Sequence, residues 1–527
     1  MARRLTLLIV PLLVAIYAGT LLHLASPIYA GLVPYDYDPA YIYLFNGFGI
    51  VEGYVPRHID HPGTPLQVLI GAIVLAIHSC MRLAGFRPTD IDASMMALPE
   101  TYLAVISTVM LALNAVAIFY LGLRVLRATA RIELALAAQS GFLLLGAMTP
   151  RVGYVSAEVL AVFAATMTAA FLADLLLRPA PLSRPETRAA VTGSAFFIVL
   201  GLTTKITCLP LLLLPFLFRT RRDVVWCFVL IAGFAVLMLL PILPELPRVI
   251  AWFLSILTHR GRYGYGEEGF LDIAALSDRL YQLVAANGFL FATAALLALA
   301  GVVALKRKAD ADRASTLRTV AIFLGTAALS LLMTLKHFGL YYMLPAFCVF
   351  SIAFVYALTQ LVPNGSQRLL RTLAGISFGT AVVIGAVQFL STYQATRAEA
   401  QERDAAVAAI ERVVVRHRNA LVVGSFRSRE RRFALQYALE FVAPDLAARL
   451  AKFQPNALSF NRWREALTFP GAPDRSLDYL NEVIATGRTV LFVVPGDLDL
   501  PNLVGEPLLQ IPGRETVLRV TRINPKP

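Results

Sequence analysis

The chain is 527 residues long, 57% hydrophobic and only 15% charged, with a mean hydropathy of +0.67. That balance excludes an ordinary soluble enzyme and points to a polytopic membrane protein. The net charge of +13 does not mark a nucleic-acid partner, because the basic residues form short clusters (Arg124 to Arg131, Arg178 to Arg188, Arg219 to Arg222, Lys306 to Arg313, Arg368 to Arg371) between apolar runs. Such clusters belong on the cytoplasmic face of a membrane protein.

The first apolar run, Leu5 to Ala25, follows Met1-Ala2-Arg3-Arg4. Its length exceeds that of a signal-peptide core, so it is read as an uncleaved first spanning helix, with Ile28-Tyr29-Ala30 as the weaker cleavage alternative. Next comes a loop, 26–65, in which Arg57 and His58 accompany Asp36, Asp38, Asp60 and His61. Ionisable groups beside a bilayer are costly unless hydrated or paired, so this cluster is a candidate functional site. A bland alternative is a hydrated loop in which Asp38 precedes a helix, since acids favour helix N-termini. Metal ligation by His58, Asp60 and His61 suits the residue types, but no second cluster completes a site. No cofactor is expected, and a metal ion is not favoured.

Spanning helices are expected at about 5–25, 101–123, 132–149, 155–177, 190–204, 206–218, 224–244, 284–305, 317–335, 340–361 and 372–392. The apolar segment 66–84 is read as a juxtamembrane helix lying along the interface, because only then do all basic clusters fall on the cytoplasmic side. The stretch 190–218 is read as two short helices meeting at Lys205, with Thr203-Thr204 before it and Pro210 after it. The alternative is one tilted helix with a snorkelling lysine. None of the four cysteines has metal-ligand spacing, and they imply no disulfide framework.

From about residue 395 the chain becomes densely charged. Ala420–Gly424, Thr489–Val494 and Glu515–Ile523 read as strands and Arg431–Val442 as a helix. The expected organisation is a transmembrane domain over 1–394, with long extracytoplasmic loops at 26–65 and 245–283, and a small extracytoplasmic α/β domain over 395–527.

That topology gathers polar residues at the outer face. The acidic loop contributes Asp36, Asp38 and Asp60 with His61, and later elements contribute Arg151, Tyr154, Glu158 and Lys205. The loop 245–283 adds His259, Arg260, Arg262, Glu267 and Glu268, and the last turn adds Lys336, His337, Tyr341 and Tyr342. Acids lie early and cations late. A carboxylate can serve as general base toward an acceptor hydroxyl, while cations offset charge developing on a departing phosphate. The division suits glycosyl transfer from a lipid-linked phospho-sugar.

The order of motifs resembles the GT-C superfamily of membrane glycosyltransferases, in the branch of protein O-mannosyltransferases and aminoarabinose lipid A transferases. The resemblance is carried by Asp38-Pro39-Ala40-Tyr41, His61-Pro62-Gly63-Thr64-Pro65-Leu66, Arg151 to Glu158, Gly201-Leu202-Thr203-Thr204-Lys205 and Lys336-His337-Phe338-Gly339-Leu340-Tyr341-Tyr342-Met343-Leu344-Pro345. It covers roughly residues 1–392. The second proline of the family's His-Pro-Pro-Leu element is replaced here by Gly63-Thr64, and Ile206 stands where glycine is usual after the lysine.

The resemblance implies a GT-C-like bundle of about eleven transmembrane helices plus a juxtamembrane helix. It also implies an inverting transferase in the inner membrane, with its active site on the extracytoplasmic side. Such an enzyme moves a sugar from a polyprenyl-phosphate donor to an envelope lipid, polysaccharide or protein. Asp38 matches the family's loop acid and would be the base, with Glu158 as second acid. Lys205, Arg262, Lys336 and His337 would hold the phosphate. Asp36, Asp60, His61, Tyr41, Arg151, Tyr341 and Tyr342 would complete the substrate site. Arg260 and Arg262 rest on the placement of their loop alone. For Lys336 and His337 an interfacial anchor is the competing reading, and for 261–269 a plain connector competes with a mobile substrate loop. A transporter or lipid flippase is the rival function, but it would need ionisable groups or broken helices at mid-membrane. A non-catalytic envelope assembly protein is the other rival.

Overall fold

The computed structural model describes residues 2–25, 40–59, 63–85, 90–260, 266–306, 311–362, 366–425, 431–454, 456–461, 464–496, 500–512 and 514–524. Asp36, Asp38, Asp60, His61 and Arg262 lie outside the described residues. The chain divides into two compact units. The first comprises 1–21, 59–66 and 107–393; the second comprises 22–58, 67–106 and 394–527.

Among the described residues eleven helices are long and apolar enough to cross a membrane, from Arg3–Leu24 to Gln367–Arg416. The expected number is met, but the membership differs in two places. Thr64–Leu83, expected along the interface, has the length and hydropathy of a span. From residue 67 onward it groups with the second unit, which also holds the α/β domain. Ile206–Leu217, expected as a span, is a 3-10 helix of only 12 residues containing Pro210 and Pro215. A 3-10 helix rises about 2.0 Å per residue, so this short element covers about 24 Å, more than an α-helix of equal length.

The break at Lys205 is present: its backbone is extended (φ −152°, ψ 128°) between Arg184–Thr204 and Ile206–Leu217. Two contacts give the direction of the flanking helices. Cys227 Sγ meets Val191 O at 3.9 Å, and Thr203 Oγ1 meets Met238 Sδ at 3.5 Å. Arg184–Thr204 and Arg221–Leu239 therefore run parallel, which requires the 206–217 segment to return between them. The expected hairpin, rather than one tilted helix, is what the chain forms.

The core of this first unit is held by small and apolar side chains, with a few buried polar groups bonded to backbone. Asn114 donates to Met110 O, Val152 O and Val159 O at 3.0–3.1 Å, and Ser107 donates to Gly153 O at 2.8 Å. Both sit on the helix Pro99–Thr129, two turns apart on one face. They fasten the turn between the helical segment ending at Val152 and the helix Ala157–Leu177.

In the second unit a seven-stranded mixed sheet is built from β1 (Leu421–Gly424), β2 (Ala457–Asn461), β3 (Ala466–Thr468), β4 (Arg475–Ser476), β5 (Val490–Pro495), β6 (Leu503–Gln510) and β7 (Glu515–Ile523), in the order β4-β3-β2-β1-β5-β7-β6. β1 pairs parallel with β2 and β5, with Val422 opposite Ala457 and Leu491; every other pairing is antiparallel. β1 is buried on both faces, as a central parallel strand should be. Leu421 and Val423 pack with Leu480 and Val483 on one side, while Val422 packs with Ile410, Val414 and Phe433 on the other. The sheet thus has helices on both faces, and one of them is the far end of the uninterrupted 50-residue helix Gln367–Arg416.

The second unit also ties its early segments to its late ones. Asn46 donates to Phe441 O and accepts from the backbone N–H of Arg57. Arg449 binds both Asp92 and Glu52, at 2.5 and 3.1 Å. Burial pushes the Asp92 carboxyl up despite that guanidinium.

Candidate functional site

Four stretches, far apart in sequence, converge within the first unit. Glu158 lies in the first turn of the helix Ala157–Leu177, and Lys205 is the C-terminal cap of Arg184–Thr204. An acid near a helix N-terminus and a cation at a helix C-terminus are each favoured by the helix dipole. The two side chains are buried and form an ion pair. Their pairing explains how both charges are tolerated there, since either alone would be an uncompensated buried charge.

Around this pair lies an aromatic wall. Lys205 Nζ is 4.5 Å from the ring centre of Tyr342 and 5.4 Å from that of Tyr341. Tyr341 also receives the Arg151 guanidinium at 4.3 Å, and Arg151 lies 5.2 Å from the Tyr154 ring. Arg151 is within electrostatic reach of both Glu158 and Lys205. Cation–π contacts of this kind are stronger where water is excluded. His337 stacks on Tyr342 at 5.4 Å, and the two tyrosines meet edge to face at 4.8 Å.

Local sequence accounts for the placement of the tyrosines. They lie on the one-turn 3-10 helix Leu340–Met343. Gly339 precedes it, and a Cβ there would come within 3.0–3.3 Å of the Tyr342 ring. Glycine lets that ring fold back over the backbone.

The residue that departs from the family's second proline is explained in the same way. Gly63 has φ +62°, in the left-handed region, and donates its N–H to Thr204 O at 3.2 Å. Proline has neither the donor nor the φ. The end of the acidic loop is thereby fastened to the residue just before Lys205.

The other expected site residues are used differently. Lys336 donates to His259 O and Gly269 O at 2.7 and 2.8 Å, with the Phe270 ring 5.1 Å away. The expected loop 245–283 is largely helical, with helices at Leu246–Thr258 and Leu276–Ala286, and Lys336 fastens the segment between them. Arg260 lies in that loop, half exposed, 4.0 Å from Glu267. Tyr41 is buried in the second unit, where its hydroxyl donates to Glu100 at 2.9 Å, and Glu100 pairs with Arg431 at 2.8 Å. Among the described residues no group of three His, Cys, Asp or Glu side chains is arranged to hold a metal.

Ser107 and Asn114, which hold the Arg151–Glu158 turn, were not singled out from the sequence. Their signal was present: two polar residues seven apart on one face of an apolar span.

The arrangement offers an anion a surface formed by two cations and a histidine on a rigid aromatic bed, against the one carboxylate that Lys205 already engages. The described residues thus comprise a bundle of apolar helices with this cluster at helix ends, followed by a C-terminal domain built on a mixed sheet. No protein-family model and no curated protein matches the sequence. Among solved structures the chain is similar to ArnT from Cupriavidus metallidurans in the apo state, with a TM-score of 0.53 and 12% identity over 94% of this chain and 97% of that one. The match is one of fold.

Proposed function

We propose that the protein is an inverting glycosyltransferase that takes its sugar from a polyprenyl-phosphate donor and passes it to an acceptor of the cell envelope. The observation that carries this reading is the Arg151–Tyr341–Lys205–Tyr342 stack beside Glu158 in a bundle of GT-C fold. A flippase would be expected to carry its polar groups at mid-membrane; here they sit where helices begin and end.

In the proposed reaction Asp38 accepts the proton of the acceptor hydroxyl as its oxygen attacks the anomeric carbon from the side opposite the phosphate. The bond from that carbon to the phosphate oxygen breaks, and its electron pair leaves with the lipid phosphate. Arg151, with Lys205 behind it, offsets the added negative charge. Glu158 keeps Lys205 charged and in place, and His337 lines the same wall through Tyr342. The acceptor is a lipid, polysaccharide or protein of the envelope, and the site faces the extracytoplasmic side.

The test separates base from phosphate holder. Asp38→Asn should abolish turnover and leave donor binding, read by native mass spectrometry, near that of the parent. Arg151→Gln should weaken donor binding by about 10- to 100-fold, as expected for the loss of a charge-assisted contact of ~1.5–3 kcal/mol. Retained turnover in Asp38→Asn removes Asp38 as the base.

A further inference from the structure

A second concavity lies in the first unit at the other end of the 206–217 segment from Lys205. It has a volume of about 720 Å³ and is formed where the end of that segment, the start of the helix Arg221–Leu239 and the helix Ala311–Lys336 meet. Its walls are apolar, with Leu213, Phe216, Val225 and Ile322 among them, and three arginines, Arg219, Arg221 and Arg318, also line it, Arg318 donating to Leu217 O at 3.5 Å. Phe216 and Val225 are 47% and 61% exposed, so the apolar wall opens outward. Asp223, the nearby acid, accepts from the Thr220 hydroxyl and offsets one of the three guanidinium charges, so the lining keeps a positive excess.

An apolar trough open along its length, with cations gathered at one end only, matches an amphiphile with an anionic head. A soluble anion would have no use for the apolar wall, and a neutral lipid none for the arginines. The Arg219–Arg222 cluster belongs to the cytoplasmic set by the positive-inside pattern, where anionic headgroups meet basic pockets between helices. We propose that this groove is a specific site for one anionic phospholipid of the bilayer, its phosphate among Arg219, Arg221 and Arg318 and its upper acyl chain along Phe216 and Val225. The site is separate from the Lys205 cluster and independent of the proposed reaction.

The test reconstitutes the full-length protein in nanodiscs of phosphatidylglycerol and phosphatidylcholine in equal amounts. The lipids kept after re-extraction into detergent are then counted by native mass spectrometry. The parent protein should retain phosphatidylglycerol in preference. R219Q/R221Q/R318Q should lose that preference by about tenfold, and the lysine triple variant R219K/R221K/R318K should keep most of it. Gly325 lines the groove, and a Cβ there would make only ordinary contact with Leu213 at 3.5 Å. Gly325→Leu should therefore fold, fill the trough and reduce retention with every charge in place. Equal retention of the two lipids by the parent protein would overturn the proposal. So would unchanged retention in both the glutamine triple and Gly325→Leu variants, or protection against heat by inorganic phosphate equal to that by phosphatidylglycerol.

Discussion

Glu158 and Lys205 depend on each other, and this fixes what substitution does. Removing one partner of a buried pair leaves the other charge without compensation, a loss of ~3–5 kcal/mol. Lys205→Ala should therefore lower the melting temperature of the detergent-solubilised protein sharply. Glu158→Gln combined with Lys205→Met should recover most of that loss, because no charge is then stranded. A double variant no more stable than Lys205→Ala would show that the pair does not act as a unit. Glu440 gives the opposite case in the α/β domain. Its carboxylate accepts from Asn461 at 3.0 Å and meets Arg464 at 3.3 Å, yet burial pushes its pKa above the ordinary 4.5. Below that ordinary value the folded and unfolded states are both protonated, and burial carries no charge penalty. As pH rises through the raised value the folded state must ionise a buried acid, so stability falls. Glu440→Gln should be more stable than the parent at pH ~7, with the gain vanishing below pH ~4. Thermal unfolding at the two pH values measures this, and a loss of stability at the higher pH would mean that the Arg464 pair dominates. At this scale the sequence was partly legible. Glu158, Lys205, Arg151 and Tyr342 could be brought together by asking which helix ends share a side. The partners of Lys336 could not, because they are two backbone carbonyls, His259 O and Gly269 O, and no side-chain pattern announces a carbonyl. The bond from Tyr41 to Glu100 was not legible for a related reason: the two residues lie 59 positions apart.

Among the elements, the hairpin at Lys205 and the loop end at Gly63 are where sequence translates most directly into geometry. An apolar stretch too long for one untilted helix, with a lysine near its centre and proline soon after, is a break signal. What the residues did not disclose was the 3-10 winding of 206–217, a segment that contains Pro210 and Pro215. Nor did they fix the status of 64–83, whose length and hydropathy suit a span while its later residues pack in the second unit. Gly63 can be tested by itself. Its φ of +62° costs a residue with a Cβ about 1–2 kcal/mol, so Gly63→Ala should lower the melting temperature modestly. Gly63→Pro should lower it further, since it also removes the N–H donated to Thr204 O. A proline variant as stable as the parent would contradict the role given to this turn.

For the whole molecule, hydropathy and the compositional change near residue 395 were enough to foresee a helical membrane bundle followed by an α/β domain. The strands placed at 420–424, 489–494 and 515–523 appear as β1, β5 and β7. The grouping of 22–58 and 67–106 with the C-terminal residues was not legible. It rests on single long-range contacts such as Asn46 to Phe441 O and Arg431 to Glu100, which leave no periodic trace. The ArnT-like fold brings the helix ends bearing Arg151, Glu158, Lys205 and Tyr342 to one cluster, and the proposed chemistry stands on that cluster. Its most direct test is product analysis after the purified protein is incubated with an isotope-labelled polyprenyl-phosphate sugar and envelope extract. The label should appear covalently on an envelope acceptor, with the anomeric configuration of the donor inverted and free polyprenyl phosphate released. Label that stays on the intact donor, while that donor merely crosses from one leaflet to the other, would contradict the account.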